Sequence, residues 1–229
     1  MIIVCGGIKG GSGKTTAATN LAVIRARDGR DVLLVDADEQ ESSYNFTQVR
    51  NESLGDAGYG CIKLTGMAVG KETQRLAQKY QDIVIDTGGR DTTSQRAALA
   101  VADIALIPFK PRSLDVWTIG RVIQVMQEAA AVNPKLRAFT FLNQADSRGH
   151  DNEEAAEILK DSSGAVQFIE VALGHRKAFS NAAAGGLAVT ELNPSDVKAV
   201  EEVMALYRYV FATEVISETN KKYIAGGQQ

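Results

Sequence analysis

Cysteine is nearly missing from this chain: Cys5 and Cys61 are the only two in 229 residues. They stand too far apart in sequence for a metal site, and they cannot supply a disulfide framework. Cys5 falls in an apolar run, which fits a reducing compartment. No hydrophobic run approaches the roughly eighteen residues of a membrane span. A strand pattern begins at once at Ile2, so no signal peptide is expected. Strong charge of either sign is also lacking. The net charge is −3, so a nucleic-acid surface would have to be a local patch on an acidic body. There is no internal repeat and no linker. With 45% apolar and 23% charged residues, the expectation is a cytoplasmic protein with one domain over 1–219 and a flexible polar tail over 220–229.

Short β-branched or apolar runs alternate with longer helical patterns. The runs are Ile2–Cys5, Val32–Val35, Ile83–Ile85, Ile104–Phe109, Ala138–Leu142 and Val166–Val171. Helical periodicity marks Thr15–Arg27, Lys71–Tyr80, Thr93–Val101, Leu114–Ala131 and Ser195–Thr213, the last with Ser195 as its expected N-cap. Continuous apolar strands are buried on both faces. The alternation therefore predicts an α/β fold, a doubly wound and mostly parallel sheet flanked by helices, with ligands at the carboxyl edge of the strands.

The segment after the first run is Lys9-Gly10-Gly11-Ser12-Gly13-Lys14-Thr15-Thr16. A strand, a glycine-rich loop and a helix in that order make a phosphate cradle, since successive N–H groups converge on one anion at a helix N-terminus. Gly10, Gly11, Ser12, Gly13 and Thr16 would line it. Lys14 would reach the β- and γ-phosphates, and the Thr15 hydroxyl would ligate Mg²⁺. Lys9 is a second lysine where such a loop needs one. Two further runs end in carboxylates, Asp36 and Asp38 after the second and Asp86 after the third, the latter followed by Thr87-Gly88-Gly89. Strand-end carboxylates beside a phosphate loop suit a Mg²⁺ outer shell, here Asp36 and Asp86, while Asp38 is placed to orient an attacking water. Spacing alone leaves open which of Asp36 and Asp38 contacts the water.

These residues resemble the ParA/MinD family of P-loop ATPases with a deviant phosphate loop. KGGSGKTT carries the family's extra lysine at Lys9. VLLVDADEQES resembles its second-strand motif, with Glu39 where proline is more usual. DIVIDTGGRDTTSQRAALAVADIALIPFKPRSLD resembles the Walker B segment, the switch and the next strand of short plasmid-type ParA proteins, and GHRKAFSNAAAGGLAVTEL the stretch before their last helix. The resemblance covers nearly the whole chain. It implies an ATP-bound homodimer in which Lys9 of each subunit reaches the partner's phosphates and stabilises transferring charge. It also implies adenine contact by Asn143, with Pro111 and Asn193-Pro194 as neighbouring base-side positions.

The same resemblance implies nonspecific DNA binding through Arg176, Lys177 and Arg208, with Lys221 and Lys222 behind them, in salt-dependent phosphate contacts. A ParB-like partner would stimulate hydrolysis and the nucleoid would be the matrix, so that DNA is segregated. The alternative cargo is a protein assembly such as a carboxysome or chemoreceptor cluster. A membrane role needs an amphipathic C-terminal helix, and the tail NKKYIAGGQQ offers only Tyr223 and Ile224 as apolar anchors. The cluster-binding iron-protein branch needs two later cysteines, which this chain lacks. A metabolic ATP-dependent enzyme is the remaining class, and such ligases generally lack the Lys9 equivalent.

Overall fold

The computed structural model describes residues 1–111, 116–148, 150–162 and 164–225. Its strands are β1 (Ile2–Cys5), β2 (Val32–Ala37), β3 (Gly60–Lys63), β4 (Asp82–Thr87), β5 (Ile104–Phe109), β6 (Arg137–Ala145) and β7 (Gln167–Gly174). The helices are α1 (Lys14–Arg27), α2 (Ser42–Leu54), α3 (Ala68–Leu76), α4 (Thr93–Leu99), α5 (Val116–Val132), α6 (Asp151–Asp161), α7 (Lys177–Ala184) and α8 (Val197–Ala225), with a 3₁₀ turn at Val189–Glu191 before the last. The seven strands form one sheet in the order β3-β2-β4-β1-β5-β6-β7, and every pairing is parallel. This is the P-loop NTPase arrangement.

All residues of β2, β4 and β5 are buried, as two-sided coverage requires. On one face Leu21, Ala18 and Ile24 of α1 pack with Val203, Leu206 and Val210 of α8 over Val84, Leu106 and Phe139. On the other, Val69 of α3, Leu99 of α4 and Val122 and Met126 of α5 cover Val35, Ile85 and Ile107. Cys5 sits fully buried in the first of these layers and Cys61 is half-buried, both as free thiols.

Register decides where the chemistry goes. Cys5 of β1 stands beside Asp86 of β4, and Asp86 beside Asp36 of β2. Three chain segments thus deliver the start of the glycine loop and two carboxylates to one row at the carboxyl edge.

Four elements had no forecast. β3 is a half-buried edge strand, so it carries no continuous apolar run. The polar helices α2 and α6 and the short α7 lack a wide apolar stripe. The last helix also begins differently from expectation. The Asp196 side chain accepts from Ala199 N at 3.1 Å and its carbonyl accepts from Val200 N, so Asp196 is the cap and not Ser195. A carboxylate there also suits the helix dipole. The helix runs on to Ala225, and residues 226–229 of the expected tail lie outside the described residues.

Candidate functional site

The glycine loop leaves β1 at Cys5 and enters α1 at Lys14. Gly13 caps that helix with φ +95°, a left-handed conformation that costs glycine little. A second constraint lies across the sheet: a Cβ on Gly13 would collide with the Asn143 amide. That amide comes from β6, is buried, and donates from Nδ2 to Ser12 O at 2.6 Å. Gln144 beside it donates to Gly11 O at 3.2 Å. The end of β6 therefore props the loop from one side. Base contact was expected of Asn143; in the structure its Nδ2 takes the loop backbone as partner. Pro111 is buried, whereas Asn193 and Pro194 are exposed.

Lys14 is buried, and its Nζ donates to Lys9 O at 2.9 Å. Burial pushes the Lys14 ammonium below its usual range, while Asp86 and Asp38 pull it back up. The Ser12 hydroxyl donates to the same Lys9 carbonyl at 3.3 Å. Lys9 thus contributes its backbone to the interior of the loop while its side chain is exposed. Thr15 and Thr16 are half-buried in the first turn of α1. Asn20, one turn on, donates to Thr16 O at 2.8 Å and accepts from Val189 N at 2.8 Å, tying α1 to the 3₁₀ turn.

The carboxylates differ sharply from one another. Asp36 is buried with both oxygens engaged: it accepts from Asp38 N at 3.0 Å and Tyr44 N at 2.8 Å. Asp38 is half-exposed and accepts from Gln40 N at 3.2 Å. Asp86 has 0% exposure, and neither of its oxygens has a hydrogen-bond partner among the described residues. Burial pushes the Asp86 carboxyl up to about 7; the Thr15 hydroxyl pulls it down, Asp36 pushes it up, and Lys14 and Ser43 pull it down. The Ser43 hydroxyl is likewise buried without a partner.

Orphaned buried carboxylate oxygens next to a hydroxyl and a second acid are a hard-oxygen donor set that fits Mg²⁺. No group of three acidic, His or Cys side chains among the described residues could hold a metal alone. Were Mg²⁺ bound there, the Thr15 hydroxyl would be the residue to hold it, with Asp36 and Asp86 behind.

The segment after β4 rests on the loop. A Cβ on Gly89 would come within 2.6 Å of Gly10 N and Cα, and one on Gly88 within 3.1 Å of an Asp38 oxygen. Gln95 of α4 fastens this segment from below, accepting from Gly7 N at 3.1 Å and from the Thr87 hydroxyl at 3.2 Å. Sequence reading missed Gln95, Ser43 and Gln144. Thr92 and Gln95 have capping-box spacing, and Thr92 does cap α4 by accepting from Gln95 N. That signal marks a helix start and says nothing of a bond to Gly7.

Lys177 and Arg208 are exposed. Arg176 was expected to meet DNA, but its guanidinium is committed to Glu202 of α8, with Nη2 2.6 Å and Nε 3.0 Å from Oε1. Glu202 also accepts from Gly174 N at 2.9 Å. Arg176 therefore ties the end of β7 to α8. The side chains of Lys221 and Lys222 lie outside the described residues. Among the described residues no helix is long and apolar enough to cross a membrane.

Known proteins are similar to this chain in sequence and in fold. The "Maintenance of carboxysome distribution protein A" of Halothiobacillus neapolitanus is 29% identical over 198 residues, 86% of this chain and 89% of its own length. Protein ParA of Rhizobium radiobacter is 25% identical over 186 residues, 78% of this chain and 80% of that one. Among solved structures, an ATP complex of Cyanothece McdA superposes with a TM-score of 0.75 at 16% identity, covering 92% of this chain and 96% of that one. Residues 2–189 match the family described as the CobQ/CobB/MinD/ParA nucleotide binding domain, and the chain belongs to that family.

Proposed function

We propose that this chain is a Mg²⁺-dependent ATPase that dimerises on binding ATP, binds DNA without sequence preference, and positions a cargo when a partner protein stimulates hydrolysis. The observation that carries the reading is the orphaned, buried Asp86 beside Thr15, Asp36 and Lys14 under a glycine loop. Such a constellation does little chemistry of its own. It positions the triphosphate and offsets its charge, which is most of what phosphoryl transfer needs.

In this mechanism Gly10 to Gly13 present N–H groups to the phosphates and Lys14 meets their charge from below. Thr15 would hold Mg²⁺, with Asp36 and Asp86 behind it; the metal would supply positive charge to offset that of the phosphates. Asp38, beside Gly88, orients the water. Lys9, whose side chain faces outward, acts on the partner's phosphates. Lys177 and Arg208 contribute to the DNA-facing surface, with Arg176 as the brace behind them. The work is done in the cytoplasm, over the nucleoid.

Size-exclusion chromatography with and without a nonhydrolysable ATP analogue tests the core of this. Dimer only with the analogue is expected, and an unchanged monomer overturns it. Lys9→Ala should keep nucleotide binding and lose dimer-dependent hydrolysis. Normal dimerisation and turnover by that variant would remove the trans role.

Two cargoes fit. Segregation of DNA through a ParB-like partner follows the resemblance to short ParA proteins. A protein cargo is favoured by the similarity to the carboxysome distribution protein, which is 29% identical over 198 residues. Deleting the gene separates them: plasmid or chromosome loss supports the first, and a mislocalised protein assembly with stable inheritance supports the second.

A further inference from the structure

The carboxyl end of β5 carries a lysine with no part in the reading so far. β5 pairs with β1 so that Leu106 stands opposite Cys5, and Lys110 and Lys9 each lie four residues beyond that pair. Lys110 is half-buried. Its Nζ lies 3.6 Å from where a Cβ on Gly11 would stand, at the crown of the glycine loop. The two lysines line one cleft whose wall includes Ile107, Phe109 and Val122.

Arg25, Arg50, Arg96, Arg121 and Arg176 each pair with a carboxylate. Lys110 has no hydrogen bond or ion pair among the described residues. An ammonium held against an apolar wall without a counter-charge is costly, and an anion at the loop offsets that cost. A nearby low-dielectric wall also strengthens its attraction for that anion.

We infer that Lys110 is a further nucleotide-binding residue, a cation supplied from β5 of the same subunit to the phosphate chain of the bound nucleotide. The inference rests on the reading of the glycine loop as a phosphate cradle. Lys14 approaches that cradle from the α1 side and is buried; Lys110 approaches it from the β5 side and keeps partial contact with solvent. Its contribution is therefore screened by salt, whereas that of Lys14 is screened much less. A lysine that merely braced the loop would raise stability and would not make binding salt-sensitive.

Calorimetric titration of a nonhydrolysable ATP analogue with Mg²⁺, at several NaCl concentrations, tests this on wild type, Lys110→Gln, Lys110→Met and Lys110→Arg. Both neutral variants should bind about tenfold more weakly at low salt, with the gap narrowing as salt rises. Lys110→Arg should recover most of the affinity. The melting temperature of the nucleotide-free protein should be the same in all four. Wild-type affinity in both neutral variants, or a gap that salt does not narrow, overturns the inference. Lys14→Ala run alongside separates the two readings. If Lys14→Ala binds normally, the cradle itself was misassigned; if it loses binding while the Lys110 variants do not, only the inference falls.

Discussion

Asp82 and Asp86 lie four residues apart on β4, both with 0% exposure, and the protein treats them in opposite ways. At the amino end of the strand, Asp82 accepts from Arg25 Nε at 2.7 Å and Arg30 Nε at 3.2 Å. Burial works against its charge, yet the Arg25 hydrogen bond, the N-terminal ammonium and Arg30 outweigh it and hold the carboxyl below its ordinary range. At the carboxyl end Asp86 has no hydrogen-bond partner among the described residues, and burial pushes it up to about 7. One carboxylate is neutralised by the fold. The other keeps its bonding capacity unused, which folding stability alone does not explain. A buried carboxyl left without hydrogen bonds at one end of a strand, in a molecule that pairs off the one at the other, is what marks the site.

The contrast can be broken first at the open end. Lys14→Ala removes the buried cation beside Asp86, and nucleotide affinity should fall at least about a hundredfold in a binding titration, with the fold retained. Affinity within a few-fold of wild type would show that the open end is not a phosphate site.

Arg50 is the strongest case of closed charge. It is buried, donates to Ala57 O and Gly186 O, and makes a bidentate pair with Glu191 at 2.7 and 2.9 Å. Arg50→Ala should cost about 3 kcal/mol in urea unfolding, because Glu191 is left with the exposed Arg27 as counter-charge and the Ala57 and Gly186 carbonyls lose their donor. A loss under about 1 kcal/mol would mean that water replaces the guanidinium.

Arg25→Met sharpens the comparison through pH. The folded pKa of Asp82 lies below its unfolded value, so the stabilisation is present above the ordinary carboxylate range and is lost as pH falls through and below it. Wild type should therefore lose stability as pH falls from about 5 to 3, and the variant should lose less over the same span. Parallel curves would show that Arg30 and the N-terminal ammonium suffice.

The smallest effect belongs to exposed charge. Arg208→Ala should change stability by no more than about 0.5 kcal/mol. Affinity for random duplex DNA should still drop a few-fold, with the salt slope lower by about one. An unchanged slope would exclude a phosphate contact at that residue.

Much of the sheet was legible because burial on both faces writes a continuous apolar run. β1 and β5 fall on the forecast bounds, and the strand-end position of Asp36 and Asp86 follows from the same runs. The edge strand β3 and the polar helices α2 and α6 write no such signal. At the site, residue type and local order identified the loop and its carboxylates. What stayed hidden depends on distant partners: Asn143 meets Ser12 from 131 positions away, Gln95 meets Gly7 from 88, and Arg176 meets Glu202 from 26. The last pairs a basic residue of the matching motif with a carboxylate one helix away, which its local sequence does not disclose.

Gly89 has a consequence beyond the site it helps to close. Its φ is not in the left-handed region, so an alanine there would meet no backbone strain. It would meet the loop backbone, with Gly10 N and Cα 2.6 Å and Lys9 C 3.0 Å from the added methyl position. The two loops behave as parts machined to touch, with no side chain between them to absorb a displacement. One methyl group at position 89 is thus a feeler gauge: its cost measures how far the segment after β4 must retreat before the glycine loop can change shape.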